Sequence, residues 1–289
     1  MQQFRIVTDG SCDLPAEWCK EHHIAVIPLY FSLASAAPRP FPGSISGLGD
    51  FYTLLRSGTT VHTSAPSIED CKDILRPLLT GGYDLLYTGL SSQLSGMFNV
   101  MRLAAGELEA EFPGKHVRVL DSFNGSHGLG ILLRELTAAR ESGKDLETVL
   151  ELGEQLRCRI SSRFIVGDLM FLKRGGRISG SAAVFGTMLQ IMPMLHATAD
   201  GRIESYSKVR GRKTALRTLA DEIGSEAASG TAVWIGHCNA AEDAAFVRDI
   251  LRRKYGIREV GILEIGPVLG AHAGPDTVAG FCIRQDENA

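Results

Sequence analysis

The amino-acid sequence predicts an α/β protein of two domains, an N-terminal α/β/α domain with a parallel sheet over residues 1–155 and a C-terminal α+β domain with a mixed sheet over residues 156–289. In the first half, short apolar runs alternate with helical patterns, as in a parallel sheet covered by helices. From about residue 155, strand patterns outnumber helical ones, which suits a mixed sheet. A chain of 289 residues is long enough for two domains of ordinary size.

The N-terminal elements follow from these apolar runs. Strands are predicted at 4–8, 24–31, 83–89 and 117–121, and helices at 15–22, 50–58, 67–79, 95–112 and 129–142. Three strands run directly into turns rich in glycine and hydroxyl groups, TDGSCD, TGLSSQLSG and DSFNGSHG. Because the carboxyl ends of parallel strands share one sheet edge, these turns should gather hydrogen-bond donors there. The segment 32–49, rich in Pro, Gly and Ser, is either a lid or a solvated loop.

The C-terminal elements are less regular. Strands are predicted in the runs RFIVGDL, RIESYSKV, TAVWIGHC, REVGILEIG and AGFCIR, and long helices at 212–227 and 241–255. No internal repeat is present in the sequence. This half therefore supplies most of the predicted mixed sheet.

Composition excludes several classes of protein. The net charge is −3 and no long basic stripe occurs, which argues against nucleic acid as a partner. No run of about 18 apolar residues is present, so no membrane span is expected. The six cysteines are scattered without a CxxC pair, which favours reduced thiols and a cytoplasmic location. The motif GRKT at 211–214 is not a phosphate-binding loop. The sequence predicts neither a cofactor nor a metal.

Two serine-rich turns are candidates for binding an anion. Ser91, Ser92 and Ser95 surround the start of a predicted helix, where hydroxyls and free backbone N–H groups suit a negative charge. Plain helix capping explains the same serines equally well. In HTSAPSIED, Ser67 and Asp70 form a capping-box pattern, which leaves Thr63 and Ser64 free for a ligand.

Two further motifs combine glycine with a potential ligand contact. In FLKRGGRIS, Gly175 and Gly176 allow close backbone approach, and Arg177 can offer a planar fork to a carboxylate or phosphate. The alternative is an ordinary helix end beside surface charges. In IGPVLGAHAGPDTVAGF, His272 lies between small residues that leave its ring accessible.

Taken in order along the chain, seven motifs resemble those of the DegV family of bacterial fatty-acid-binding proteins. They are IVTDGSCDLP, TSAPS, LSSQLSG, VLDSFNGSHGLG, LKRGGRIS, DGRIESYSKVRGRKTAL and GAHAGP. The resemblance implies a long-chain fatty acid buried with its carboxylate at the domain junction. It also implies a carrier without catalytic activity of its own, which presents the acid to a separate ATP-using fatty acid kinase subunit that makes the acyl phosphate.

Carried over from the family, the predicted fatty-acid contacts fall on two serine-rich turns and two basic positions. They are Thr63, Ser64, Ser92, Ser95, Gly96, Arg177 and His272. The acyl chain is expected along the apolar run at 188–195, through Met188, Leu189, Ile191, Met192, Met194 and Leu195, although an ordinary core helix would have the same composition.

The sequence departs from the family pattern at several positions. Ala65, Met97, Phe98 and Met192 replace residues that are commonly polar or charged, and Asp276 replaces a common glycine. The negative charge of Asp276 is expected to raise the pKa of His272 or to alter docking of the kinase.

Two other functions remain open from the sequence. A hydrolase or esterase would use Ser92 as nucleophile and His272 as base, and it would need a hydrogen bond between them. A lipid-responsive regulatory protein would need the same pocket as a carrier.

Overall fold

The computed structural model describes residues 3–33, 39–41, 48–178 and 191–285. Elements of the first half are β1 (Phe4–Asp9), α1 (Ala16–Glu21), β2 (Ala25–Ile27), β3 (Leu29–Leu33), β4 (Arg39–Phe41), α2 (Leu48–Arg56), β5 (Val61–Ser64), α3 (Ile68–Thr80), β6 (Asp84–Gly89), α4 (Met97–Glu111), β7 (Val117–Asp121), α5 (Ser126–Glu141) and α6 (Leu146–Arg157). Those of the second half are β8 (Ile160–Ile165), α7 (Met170–Arg174), β9 (Ile191–Ala197), β10 (Ile203–Arg210), α8 (Arg212–Glu226), β11 (Val233–His237), α9 (Ala241–Tyr255), β12 (Val260–Glu264), α10 (Pro267–Ala273) and β13 (Val278–Ile283).

The predicted parallel sheet is confirmed. Its strands lie in the order β2–β1–β6–β7, and every neighbouring pair is parallel. Successive residues of a strand bury on opposite faces, so Ile6 and Leu86 pack with α5 and α6, whereas Val7 and Leu85 pack with α3 and α4. Burial on both faces explains why these strands are continuous apolar runs in the sequence.

The predicted mixed sheet is also confirmed. Its six strands follow the order β10–β9–β8–β13–β11–β12, with only β11 and β12 parallel. Helices α8 and α9 pack on one face, where Leu219, Ile223 and Val247 are fully buried. On the other face, α5 contacts β8, β11 and β13.

Helix α5 is therefore a layer shared by both sheets. Eleven of its residues are buried, including Leu129, Leu132 and Leu136. A third sheet, β4–β3–β5, is small and antiparallel, and α10 packs against β3, β5 and α2 although it comes late in the chain. Because elements of each half pack into the other, a boundary near residue 155 stays a prediction.

Some sequence-based expectations were wrong or incomplete. Residues 191–195 belong to strand β9 and not to a core helix. Pro193 disfavours a helix, and a short apolar run does not reveal its own period. The short elements β5, α7 and α10 and the helix α6 were not predicted. Of the segment 32–49, residues 34–38 and 42–47 lie outside the described part of the chain. Whether this segment is a lid or a solvated loop therefore stays a prediction.

A buried carboxylate ties three distant elements together. Asp13 accepts hydrogen bonds from Ser126 Oγ at 2.6 Å and from the backbone N–H of Gly266 at 3.0 Å. Gly266 immediately precedes α10, and Ser126 begins α5. Burial raises the pKa of the Asp13 carboxyl from 3.8 to about 7.

This raised pKa predicts a pH-dependent stability. Since the native state holds the Asp13 proton more tightly than the unfolded chain, the contribution favours folding below about pH 4 and is lost as pH rises to about 7. At ~1.4 kcal/mol for each pKa unit, the loss is at most about 4 kcal/mol. Asp13→Asn lacks this contribution, so in urea unfolding the variant should gain stability relative to the wild type between pH 4 and 7. A difference that stays constant over this range would contradict the assignment.

Candidate functional site

A cavity of about 370 Å³ lies between the two halves of the protein. Its walls come from β5, from the turns after β6 and β7, from β8 and β13, and from α10. Most of the lining is apolar and includes Leu29, Leu90, Leu94, Phe164, Leu269 and Phe281. Its size and lining are those of a small-molecule site.

Polar groups meet at one part of this wall. Thr63 Oγ1 lies 2.7 Å from His272 Nε2. Arg177 Nε donates to the carbonyl of Leu94 at 3.0 Å, beside Ser95 and Gly96. Six of the seven sequence-predicted contacts line the cavity, namely Thr63, Ser64, Ser95, Gly96, Arg177 and His272. The cavity thus brings together six predicted residues, of which Thr63 and His272 are 209 positions apart.

Local structure explains why Thr63 is available. The predicted capping box is present, because Ser67 accepts from the Asp70 N–H while the Asp70 side chain accepts from Ser67. Ser67 is thereby used to start α3. Thr63 belongs to β5, opposite Phe31 of β3, and its hydroxyl is held by His272.

The serines around the start of α4 divide into two groups. Ser91 Oγ donates to the carbonyl of Gly201, and the Ser92 N–H donates to Asp121 Oδ1. Ser95 Oγ accepts from the N–H of Met97, and Gly96 is the N-cap residue of α4. Since Ser95 N–H bonds back to the Ser91 carbonyl, the turn places Leu94, Ser95 and Gly96 at the cavity.

The contact predicted for Ser92 is not supported by this geometry. Ser92 is not among the described residues that line the cavity, since its amide is anchored to Asp121 at the end of β7. His272 Nε2 bonds to Thr63 instead. The Ser92–His272 pair on which a hydrolase would depend is therefore not assembled.

Charge at the site comes from Arg177. Burial, with a smaller effect of Arg177, lowers the pKa of His272 to about 4, so the imidazole is neutral at pH 7. Burial also lowers the pKa of Arg177, but a guanidinium stays protonated. Within the described residues no carboxylate forms an ion pair with Arg177.

The expectation for Asp276 was wrong as regards His272. Asp276 forms an ion pair with Arg56 at 2.7 Å, and its carbonyl accepts from Arg212. The ion pair directs the Asp276 carboxylate to α2. The pKa of His272 is lowered and not raised.

The two glycines of FLKRGGRIS have different tasks. A Cβ on Gly175 would lie 2.3 Å from His272 Nδ1, so only glycine allows the imidazole to reach Thr63. Gly176 has a φ of +69°, which glycine adopts without strain. Arg174 is exposed, whereas Arg177 is half-buried.

The apolar wall differs from the predicted one. Ile191, Met192, Met194 and Leu195 are absent from the described lining, and Met188 and Leu189 lie outside the described residues. Ile265, Val268 and Leu269, at the start of α10, take part instead. Pro267 in the first helical turn and Gly274 after the last were the available signals for this helix.

A second space adjoins the polar part of the wall. This vestibule, of about 180 Å³, is lined by Thr59, Thr60, His62, Phe171 and Arg174 among others, and it shares Thr63, Arg177 and His272 with the cavity.

In the described part of the chain, no three His, Cys, Asp or Glu side chains are grouped as a metal site requires. None of the described helices is long and apolar enough to cross a bilayer.

Comparison with known proteins gives consistent matches over the whole chain. The model of the DegV family matches residues 3–285. The chain is 30% identical over 283 residues to a DegV domain-containing protein, YteA, of Lactococcus lactis, covering 98% of each. It is also 30% identical over 286 residues to a fatty acid-binding protein of Thermotoga maritima, covering 97% of each. A solved DegV family protein from Thermus thermophilus, described by its fatty acid binding, has a TM-score of 0.86 at 30% identity, over 98% of this chain and 100% of the other.

The close contact at Gly175 predicts a specific effect of an added methyl group. Gly175→Ala should force His272 away from Thr63, because the ring cannot yield without breaking that bond. We expect the pKa of His272, about 4 in the wild type, to rise towards its ordinary value in an NMR titration. Thermal unfolding should report a loss of about 1–3 kcal/mol.

Gly106→Ala is the matched control, because a Cβ there meets nothing within 4 Å and the residue lies within α4. It should be neutral or slightly stabilising. An unchanged His272 titration in Gly175→Ala would refute the positional role of Gly175.

Proposed function

The chain belongs to the DegV family, and on that basis we propose that it binds one long-chain fatty acid, with the acyl chain in the cavity and the carboxylate beside Arg177, Thr63 and His272. The observation that carries this proposal is a half-buried arginine facing a largely apolar cavity without a carboxylate partner among the described residues. A charge removed from water requires a counter-charge and hydrogen bonds. A fatty acid supplies the charge at one end and apolar surface along the rest.

The polar groups match a single carboxylate. Arg177 provides the positive charge. The Thr63 hydroxyl and the neutral His272 imidazole use one proton for their mutual hydrogen bond, so the pair has one further proton to donate to a carboxylate oxygen. Ser95 and Gly96 lie next to the arginine at the start of α4, where the helix dipole favours negative charge. One carboxylate oxygen can therefore pair with the Arg177 guanidinium and the other with the remaining proton of the Thr63–His272 pair.

Binding energy should come mainly from the acyl chain. At ~0.8 kcal/mol for each buried CH₂, a 16-carbon acid gains roughly 12 kcal/mol before ordering costs are subtracted. The head group then fixes orientation. This division fits a carrier that holds its cargo firmly while one end stays chemically accessible.

We propose further that the protein presents the bound carboxylate to a separate ATP-using kinase subunit for acyl-phosphate formation. The vestibule supports this role, because it meets the cavity at Thr63, Arg177 and His272 and leaves space beside the proposed carboxylate position.

All six cysteines are free thiols, and five are buried, which agrees with a proposed cytoplasmic location.

Fatty-acid binding is tested by delipidation followed by addition of hexadecanoate. The acid should raise the melting temperature of the protein through linkage, and native mass spectrometry should detect one bound molecule.

Arg177→Gln should weaken binding about 10- to 100-fold, since a hydrogen bond to a charged group contributes ~1.5–3 kcal/mol. Arg174→Gln is the matched control, because Arg174 lines the vestibule but not the cavity. Equal affinity in both variants would exclude Arg177 as the carboxylate partner, and no stabilisation of the wild type would exclude fatty-acid binding.

The carrier role is tested with a fatty acid kinase subunit and ATP. Acyl phosphate should form from protein-bound hexadecanoate and fall by about tenfold or more in Arg177→Gln, in line with its weaker binding. Retention of the kinase on the immobilised protein without acyl-phosphate formation would instead favour a lipid-responsive regulator.

A further inference from the structure

A third space lies behind another part of the cavity wall. This distal pocket, of about 140 Å³, shares Phe123, Asn124, Ser162 and Ala197 with the cavity. Its described lining has no residue in common with the vestibule. A fatty acid whose carboxylate lies at Arg177 would therefore have the vestibule beside that carboxylate. The distal pocket would lie behind a different part of the cavity wall.

The shared wall consists of residues that line both spaces, and it is partly polar. Ser162 Oγ donates to Asn124 Oδ1 at 2.8 Å, and both residues are more than nine-tenths buried. Asn124 also donates to the carbonyl of Ser122. Asn124 bonds as well to the carbonyl of Arg157 at 3.4 Å, so this part of the wall joins β8 to the end of α6.

The distal pocket carries excess positive charge. Arg157, Arg163 and Arg284 line it together with one acid, Glu226. Glu226 is engaged by Arg163 and by Ser161 Oγ, and it therefore offsets only one of the three arginines. Burial lowers the pKa of His196, which stays neutral.

Arg157 is only partly used by the fold. It donates one bond to the carbonyl of Asp121 at 3.0 Å, and its guanidinium stacks at 4.2 Å on the ring of Phe123. Its Nε is buried and has no hydrogen-bond partner among the described residues. Arg284 likewise donates to a single carbonyl, that of Cys158, within the described contacts. Both cations could accept an anion in addition to these bonds.

We propose that the distal pocket binds an oxyanion, and that its source is the second carboxylate of a long-chain dicarboxylic acid whose first carboxylate lies at Arg177. The inference rests on the proposed fatty-acid function and extends its substrate class to acids with an anionic far end. Arg157 and Arg284 supply the counter-charge and the hydrogen-bond donors, whereas Ser162 and Asn124 form the polar boundary between the two spaces. Phe123, which stacks on Arg157, forms the remaining barrier.

The test compares hexadecanoate with hexadecanedioate on delipidated protein by isothermal titration calorimetry at pH 8. With a distal site, the diacid should bind within about tenfold of the monoacid or more tightly. Without one, burying a second ionised carboxylate costs several kcal/mol, so the diacid should bind more than about 100-fold more weakly. That outcome would overturn the proposal while leaving fatty-acid binding intact, whereas failure of both ligands to bind would overturn the proposed function itself.

Variants locate the second carboxylate. Arg157→Gln should weaken the diacid by about tenfold or more and change monoacid affinity by less than about threefold. Arg157 also stacks on Phe123, so its replacement could disturb the cavity wall. Arg284→Gln, at an exposed position, is therefore a second variant, and it should likewise weaken the diacid and not the monoacid. Arg102→Gln, an exposed arginine on α4, is the control and should affect neither ligand. Equal losses for both ligands in Arg157→Gln and none in Arg284→Gln would refute the assignment.

Inorganic phosphate and acetate, added to protein loaded with hexadecanoate, distinguish the source of the oxyanion. A dicarboxylic acid as the source predicts tight diacid binding, with at most a small rise in melting temperature from either ion. A rise that disappears in Arg157→Gln, together with weak diacid binding, would support the oxyanion site but assign it to a free ion.

Discussion

The hydrogen bond between Thr63 and His272 is the contact on which the arrangement of the site depends. It joins β5, near the start of the chain, to α10, near its end. Helix α10 is itself held at its beginning, where Asp13 accepts from Gly266 and the Tyr52 hydroxyl donates to Ile265. Neither half of the chain contains the cavity alone, because the polar wall exists only when α10 lies against the first half.

Burial at this contact also determines the electrostatics. A neutral His272 next to a charged Arg177 avoids placing two cations together in an apolar cavity, which would be costly without two counter-charges. One fixed positive charge with neutral donors is complementary to one anion. Gly175 contributes to this charge balance because it has no side chain. A Cβ there would displace the His272 ring from the buried position that keeps the imidazole neutral.

Features that depend on neighbouring residues could be predicted from the sequence. Both sheets and the long helices follow from apolar periodicity, and the Ser67–Asp70 capping box follows from four consecutive residues. The failures at the site concern packing between distant segments. Ser92 and Ser95 are equally plausible in the sequence, and only the anchoring of Ser92 to Asp121 separates them. The pairing of Asp276 with Arg56 spans 220 residues and leaves no local signal.

The same reasoning explains how a polar wall can coexist with an apolar chain. A buried polar group is costly when it lacks a partner, but Ser162 and Asn124 satisfy each other across the boundary of the cavity. A methyl end resting against this pair would break no hydrogen bond. A charged end would instead be received by the arginines behind this pair. The wall therefore discriminates little against an ordinary acyl chain, while Arg177, at a different part of the cavity wall, still determines which end of the ligand faces the vestibule.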